Sequence, residues 1–154
     1  MITFKSGDMF EGSYDVMVNT VNCVGVMGKG VALGFKQRFP DMFRSYKEAC
    51  SRGEVAPGKL HVWDARPSVP YGLTIVNLPT KRHWRDDSRY EDVESGLVAL
   101  REFLKDRGEV SVALPPPGCG NGGLDWKIVK EMVSKPLSGL DALITAFEPV
   151  GYQP

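Results

Sequence analysis

Six short apolar runs, rich in Val and Ile, alternate along the chain with longer amphipathic stretches. We predict strands at residues 2–5, 15–21, 59–64, 73–78, 110–114 and 142–147. Val16-Met17-Val18 and Thr74-Ile75-Val76 lack the apolar–polar alternation of a half-exposed strand, and this is typical of strands buried on both faces of a sheet. Strands that alternate with helices predict a three-layer α/β/α domain with a central mixed, largely parallel sheet.

The stretches between the strands carry helix signals. We predict helices over residues 31–39, 42–52 and 124–133, and a fourth with one apolar face, formed by Val93, Leu97, Leu100 and Leu104. Pro40 should separate the first two helices. Ser88 and Glu91 have the spacing of a capping box at the start of the fourth. Pro136 and Gly139 should end the helix over 124–133.

Size, charge and cysteine content narrow the class of protein. The 154 residues suit one domain, which we place at 1–149 with 150–154 as a tail or the start of a linker. Lys plus Arg and Asp plus Glu both number 19, which argues against binding a polyanion by bulk charge. The sequence has no membrane-length apolar run and no signal peptide. Its three distant cysteines predict reduced thiols in the cytoplasm, with no metal site and no cofactor.

Glycines are concentrated in two short segments. Gly25, Gly28, Gly30 and Gly34 follow one predicted strand, and Gly118, Gly120, Gly122 and Gly123 follow another; a predicted helix comes after each segment. Glycine lets a ligand approach the backbone, and a helix N-terminus attracts anions. Two such loops at one edge of a parallel sheet predict a cradle for a diphosphate in a dinucleotide-like ligand, although tight turns would leave the same pattern.

Two common nucleotide-binding motifs do not fit. A P-loop requires Gly, four residues and then Gly-Lys-Ser/Thr, but Gly28-Lys29 is preceded by Cys23 at the first position and followed by Gly30. Gly118, Gly120 and Gly123 match GxGxxG, yet about 30 residues follow, too few for the rest of a Rossmann half. Phosphoryl transfer and hydride transfer are therefore disfavoured.

Motifs across nearly the whole chain resemble a macrodomain, the fold that binds ADP-ribose. They are Ser6-Gly7-Asp8-Met9, Val18-Asn19-Thr20-Val21-Asn22 and Gly118-Cys119-Gly120, in the order of the family. Residues 27–32, with Phe35-Lys36 and Phe39-Pro40, resemble the branch that contains the human terminal ADP-ribose glycohydrolase. Residues 78–84 and 118–126 are more similar still to the bacterial DarG antitoxins.

The resemblance to DarG implies a hydrolase that removes ADP-ribose from thymidine bases of single-stranded DNA and so reverses the toxin DarT. Two alternatives stay open. One is a module that binds ADP-ribose without cleaving it. The other is a glycohydrolase or esterase acting on ADP-ribosylated protein carboxylates or on O-acetyl-ADP-ribose, as in sister branches.

The same resemblance implies the ligand contacts. Asp8 would accept a hydrogen bond from the adenine amino group beside the Met9 backbone, and Phe147 would pack against the adenine. Asn22 would hold the distal ribose, with Thr80 nearby. The diphosphate and the distal ribose would be wrapped by Gly28, Lys29, Gly30, Val31 and Ala32, and by Gly118, Cys119, Gly120, Asn121, Gly122 and Gly123.

Lys81, which follows a predicted buried strand, is the expected catalytic residue. In the related glycohydrolase the matching lysine attacks the anomeric carbon, and DarG antitoxins depend on it. A buried lysine can lose its proton and act as a nucleophile, whereas a protonated one can serve as an acid or stabilise charge, and both roles stay open. The resolving aspartate of that relative is missing, since Asn121 and Gly122 follow Gly120, and Asp125 is more simply a helix N-cap residue.

The residues after Lys81 suggest the nature of the substrate. Arg82, His83, Trp84 and Arg85 combine cations with an aromatic ring, as in proteins that hold single strands by phosphate contact and base stacking. We therefore expect ADP-ribose and ADP-ribosylated single-stranded DNA as partners. By the resemblance, DarT would be bound through a C-terminal region absent from this chain. We expect a monomer with no membrane association.

Overall fold

A computed structural model describes residues 1–66 and 68–153. Its strands are β1 (Ile2–Lys5), β2 (Val16–Val21), β3 (His61–Asp64), β4 (Thr74–Pro79), β5 (Ser111–Leu114) and β6 (Leu143–Phe147). Its helices are α1 (Gly30–Arg38), α2 (Pro40–Ser51), α3 (Tyr90–Leu104) and α4 (Trp126–Ser134), with a 3-10 turn at Met9–Glu11. Each predicted strand and helix is confirmed, with ends displaced by a residue or two.

The strands form one sheet in the order β1-β6-β5-β2-β4-β3. Edge strand β3 pairs antiparallel with β4, and the remaining pairings within the described residues are parallel. The mixed, largely parallel sheet predicted from the sequence is therefore confirmed. The carboxyl ends of β1, β2, β4, β5 and β6 lie at one edge, where the loops that follow them meet.

Two apolar clusters pack on opposite faces of the sheet. Val16 and Val18 face α3 and α4, whereas Met17 faces α1 and α2, because successive side chains of a strand point to opposite sides. All three side chains are at most 6% exposed, as expected for a strand covered on both faces. The three-layer α/β/α prediction is confirmed.

Helix α3 starts differently from the prediction. Its N-cap is Arg89, which makes no side-chain hydrogen bond to the first turn, so the predicted capping box of Ser88 and Glu91 is wrong. The Ser88 amide instead donates to Gly122 O at 2.9 Å, because the second glycine segment lies against the start of this helix. Pro40, by contrast, occupies the first turn of α2 and separates α1 from α2 as predicted.

The segment assigned to a tail contains one residue that packs on the domain. Tyr152 lies half-buried against the cluster that includes α4, and its amide donates to Pro149 O at 3.0 Å. Within residues 1–66 and 68–153, no helix is long and apolar enough to cross a membrane.

Candidate functional site

The segment after β2 is fixed by the side chain of Asn22. Its Oδ1 accepts hydrogen bonds from the amides of Val24 and Val26, at 3.1 and 3.3 Å, and Nδ2 donates to Val26 O at 2.8 Å. The Tyr46 hydroxyl donates to both Asn22 O and Asn22 Oδ1, at 2.7 and 2.9 Å. Among the described residues the other Nδ2 hydrogen has no acceptor, so Asn22 shapes the loop and keeps one donor for a ligand.

The two glycine loops, residues 22–29 and 115–125, lie side by side. Gly30, where α1 begins, has φ +60°, and a Cβ there would lie 3.2 Å from Asn121 Nδ2. The start of α1, which follows the first loop, therefore lies against a side chain of the second. A Cβ on Gly120 would meet nothing within 4 Å, and one on Gly28 would meet Val26 Cγ1 at an ordinary contact distance of 3.8 Å, which leaves room for a ligand beside the backbone.

Other glycines of the second loop are required by packing. A Cβ on Gly122 would lie 2.3 Å from Ser88 Oγ and 2.4 Å from Gly118 O. Gly118 and Gly123 have φ values of +75° and +79°, in the region that favours glycine. Leu124 N donates to Gly118 O at 2.9 Å and closes the loop on itself. This loop is a compact wall of the site.

The two helix starts beside these loops differ in charge. Lys29 is the N-cap of α1 without a side-chain hydrogen bond, and the first turn contains no acidic residue, so its amides, including those of Val31 and Ala32, remain a positive end. At α4 the Asp125 carboxylate accepts from Lys127 N at 2.9 Å. Asp125 is thus the N-cap that the sequence predicted, and its carboxylate disfavours a phosphate at the start of α4. A phosphate cradle at the start of α1 stays a prediction.

The segment after β4 is tied to the first glycine loop. Thr80, which is 5% exposed, donates its amide to Val21 O at 2.9 Å, and Lys81 N donates to the same oxygen at 3.4 Å. Cys23 of the first glycine loop donates two hydrogen bonds to the segment after β4, from its amide to Arg82 O at 3.2 Å and from its thiol to Lys81 O at 3.3 Å. The backbone of Lys81 is therefore fixed beside the loop that follows β2.

The side chain of Lys81 is half-buried rather than enclosed, and its ammonium donates to Trp84 O at 3.5 Å. A role as a neutral nucleophile requires loss of water around the amine, because desolvation is what disfavours its charged form. In this structure the protein does not provide that enclosure by itself. A ligand seated on the two glycine loops would supply the remainder.

Arg82 is engaged within the protein. Its Nε and Nη2 donate to the two carboxylate oxygens of Asp92 at 3.0 and 3.2 Å, and that carboxylate is 5% exposed. The next three residues form a rim: the half-buried His83 ring stacks on the exposed Trp84 ring at 5.3 Å, and the exposed Arg85 guanidinium lies 4.6 Å from the Trp84 ring centre. Of the four residues expected to contact DNA, Arg82 is thus paired with α3, although its side chain is 52% exposed, and the other three make up this rim.

The residues expected at adenine lie at the ends of β1 and β6. Asp8 Oδ1 accepts from Phe10 N at 2.9 Å, which leaves Oδ2 of this exposed carboxylate for a ligand. Met9 and Phe147 are 5% and 4% exposed and belong to the same apolar cluster. The Phe147 ring packs nearly perpendicular to that of Tyr14, with centroids 6.4 Å apart, and Lys5 Nζ lies 5.8 Å from its centre.

The cysteines of the loops are poor nucleophiles. Burial raises the pKa of Cys23 to about 11, and Cys50 adds to the shift. Burial likewise raises the pKa of Cys119 to about 12, with a smaller effect of Asp125. Neither thiol ionises near neutral pH, which leaves Lys81 as the strongest candidate for chemistry at this edge.

Three contacts escaped sequence reasoning. Tyr46 holds Asn22, Asp92 holds Arg82, and Asp87 lies against the second glycine loop, where a Cβ on Gly123 would be 3.4 Å from Asp87 Oδ1. Each contact joins elements distant in the chain. The only hint for Tyr46 was its place in an amphipathic helix.

Comparisons with known proteins show the family of the chain. A family model for the Macro domain matches residues 18–133. The DNA ADP-ribosyl glycohydrolase of Mycobacterium tuberculosis is 48% identical over 147 residues, covering 94% of this chain and 42% of that protein. That of Thermus aquaticus is 46% identical over 151 residues, covering 97% and 42%. The chain therefore spans less than half the length of these curated relatives.

Solved structures give the same assignment. The macrodomain of Thermus aquaticus DarG superposes with a TM-score of 0.88 at 46% identity, covering 97% of this chain and 99% of that one. Thermosipho africanus DarTG in complex with ADP-ribose has a TM-score of 0.91 at 32% identity, covering 99% of this chain and 43% of that one. The chain belongs to the macrodomain family and is similar in sequence and fold to the macrodomains of DarG.

Proposed function

We propose that this domain is a DNA ADP-ribosyl glycohydrolase, which removes ADP-ribose from thymidine bases of single-stranded DNA and so reverses the DarT toxin. The observation that carries the proposal is the position of Lys81, whose backbone is tied to the first glycine loop and whose ammonium lies at the rim. Identity of 46–48% with proteins named for this activity supports it.

In this proposal ADP-ribose lies along the carboxyl edge of the sheet. The Asp8 carboxylate and the Met9 backbone hold the adenine, and Phe147 packs against it. The diphosphate sits on the amides at the start of α1, around Gly28–Ala32. The distal ribose lies between Asn22, Thr80 and the second loop (Gly118, Cys119, Gly120, Asn121, Gly122 and Gly123), which brings its anomeric carbon toward Lys81.

Hydrolysis breaks the bond between the anomeric carbon and the base nitrogen; water supplies a hydroxyl to the carbon and a proton to the nitrogen. Lys81 can take part in two ways. Once desolvated by the ligand, a neutral amine can attack the anomeric carbon while the bond to the base nitrogen breaks and an amine proton passes to the thymine; water then hydrolyses the lysyl adduct and restores the amine. As an ammonium it can protonate or stabilise the departing thymine. Since Asn121 and Gly122 carry no carboxylate and Asp125 caps α4, neither route uses an aspartate from this loop.

The test uses a single-stranded oligonucleotide with ADP-ribose on one thymine. The parent should release ADP-ribose, and Lys81→Ala should lower kcat by at least about a hundredfold while ADP-ribose binding, measured by calorimetry, is kept. Lys81→Arg retains the charge but not a nucleophilic amine, so activity in this variant would indicate an electrostatic role. Lys135→Ala, an exposed lysine at the far end of α4, is the matched control.

Three results would overturn the proposal or redirect it. Unchanged cleavage by Lys81→Ala would remove Lys81 from the mechanism. Tight ADP-ribose binding without release by the parent would indicate a binding module. Release from protein carboxylate esters or O-acetyl-ADP-ribose, but not from DNA, would indicate the alternative hydrolase.

The remaining partners follow from the same proposal. In the relatives this domain is less than half of the protein. We infer that DarT is bound through a further C-terminal region, and that this domain acts enzymatically, as a monomer in the cytoplasm. A pull-down with DarT should then capture little of this chain, and strong capture would contradict the inference.

A further inference from the structure

The exposed rim after β4 is already assembled as a stack. Trp84 is 45% exposed, His83 stacks on it with an interplanar angle of 30°, and the Arg85 guanidinium lies 4.6 Å from its ring centre. Arg85 N donates to His83 Nδ1 at 3.1 Å and fixes the turn between them. A rigid, exposed aromatic and guanidinium surface offers stacking to a nucleobase at low entropic cost.

The charges around this stack favour base stacking over phosphate binding. Arg82 is bound to Asp92, and the carboxylates of Asp86 and Asp87 follow Arg85 in the same exposed loop. Over residues 81–92, which include the first turn of α3, four cationic side chains are balanced by four anionic ones: Lys81, Arg82, Arg85 and Arg89 against Asp86, Asp87, Glu91 and Asp92. A site for a phosphate would be expected to show an excess of positive charge.

The stack is also connected to the candidate catalytic group. The Lys81 ammonium donates to the carbonyl of Trp84, at 3.5 Å, so the residue that presents the indole also holds the amine. Across the rim, Val24 and Val26 of the first glycine loop are 45% and 39% exposed. Cys23, next to Val24, is hydrogen-bonded to Arg82 O, which joins this apolar loop to the rim.

We propose that the His83–Trp84–Arg85 stack is a subsite for the nucleobase beside the modified thymine. The domain then recognises an ADP-ribosylated oligonucleotide in preference to an ADP-ribosylated nucleoside. A base stacked on the outer surface of this assembly steadies the Trp84 carbonyl that holds Lys81, so the flanking base promotes turnover as well as binding. This inference rests on the proposed DNA substrate and names the part of the strand that is recognised.

The experiment compares ADP-ribosyl-thymidine with the same group inside a single-stranded oligonucleotide, for four proteins. The parent should show a kcat/KM ratio of oligonucleotide to nucleoside of roughly 5 to 150, the range expected for one stacked base. Trp84→Ala should bring this ratio close to one, and Trp84→Phe should restore most of it. Tyr71→Ala, which changes an aromatic residue 57% exposed elsewhere, should leave the ratio as in the parent.

The proposed subsite would be overturned if Trp84→Ala lowered kcat/KM equally for both substrates, or if the parent showed an oligonucleotide-to-nucleoside ratio of kcat/KM near one. Binding gives a second measurement that does not depend on turnover. The oligonucleotide should bind more tightly than the nucleoside to the parent or to Lys81→Ala, and equally to the corresponding Trp84→Ala proteins. If neither substrate is cleaved by the parent, the proposed activity fails, whereas the affinity difference still decides whether the subsite exists.

Discussion

Arg82 and Asp92 form a two-point ion pair in which the carboxylate is almost fully buried, at 5% exposed, and the guanidinium is half exposed. The pair joins the residue next to Lys81 to the first turn of α3. It also raises the pKa of Arg82, through the hydrogen bond to Asp92 and its charge. We interpret Arg82 as a positioning residue for Lys81 and not as a direct contact to DNA.

Loss of either partner should therefore displace Lys81. Arg82→Ala and Asp92→Asn should each lower kcat by roughly ten- to a hundredfold, as expected when a reacting group is misplaced. The double variant should lose little more than the worse single one, since both changes remove one interaction. Arg52→Ala, which breaks the exposed ion pair with Glu54, is the control and should leave kcat unchanged. Additive losses in the double variant would contradict this interpretation.

A comparison of Gly30 with Gly53 distinguishes the effect of a positive φ from the effect of a contact with the second glycine loop. Gly30→Ala and Gly53→Ala both place a side chain at positive φ, +60° and +71°, and each should cost about 1–2 kcal/mol of unfolding free energy. Only Gly30 faces Asn121, whereas a Cβ on Gly53 meets nothing within 4 Å. Calorimetry should show ADP-ribose binding weakened roughly tenfold, or about 1.4 kcal/mol, in Gly30→Ala alone. Equal effects of both variants on binding would exclude the loop contact as the cause.

Tyr46 should stabilise the first glycine loop through its hydroxyl. Tyr46→Phe keeps the buried ring but removes two hydrogen bonds to Asn22, and it should cost about 1–3 kcal/mol of unfolding free energy. Hydrogen exchange should show faster opening around Val24 and Val26, which Asn22 holds. Tyr71→Phe, at an exposed position, should change neither measurement.

His61 should make the stability depend on pH. Burial lowers the pKa of His61, and the ring is neutral because Nδ1 accepts from Asn77 Nδ2 at 2.9 Å while Nε2 contacts Ser45 Oγ at 3.0 Å. His61 therefore takes up a proton more readily in the unfolded chain than in the folded one. The stabilisation is therefore complete above about pH 6.5 and is lost as the pH falls below it.

Thermal unfolding measured from pH 8 to 5.5 checks whether stability falls as the pH is lowered. The parent Tm should fall toward the acid end, and His61→Gln should flatten this dependence. A parent Tm that rises on acidification would contradict the lowered pKa of His61.

The thiols should react slowly in the folded protein. The pKa of Cys23 and of Cys119 is raised to about 11 and about 12, and burial also raises that of Cys50. At pH 8 alkylation of Cys23 and Cys119 should be at least roughly a hundredfold slower than for an ordinary cysteine, because the thiolate reacts, and Cys50 should also be slowed. Labelling in denaturant provides the reference. One rapidly labelled thiol in the native protein would show a reactive cysteine at this edge.

Residues close together in the chain determined most of the fold. The short apolar runs and the helices between them were located from hydrophobic period and from Pro40, since strand and helix formation depend largely on local pattern. Parallel strands then place their loops at one edge, so the meeting of the two glycine loops was predictable without coordinates. The Asp125 N-cap was equally predictable, because its hydrogen bond reaches only two residues along the chain.

The partners of the polar side chains were decided by the tertiary structure. The buried Asp92 carboxylate pairs with Arg82, and the buried Tyr46 hydroxyl turns Asn22 into the loop. Each of these groups must find a partner once it is buried, and the partner is whichever group folding brings near. The sequence by itself therefore determined the family and the position of the site, whereas only the packed structure decided which of its side chains remain available to a ligand.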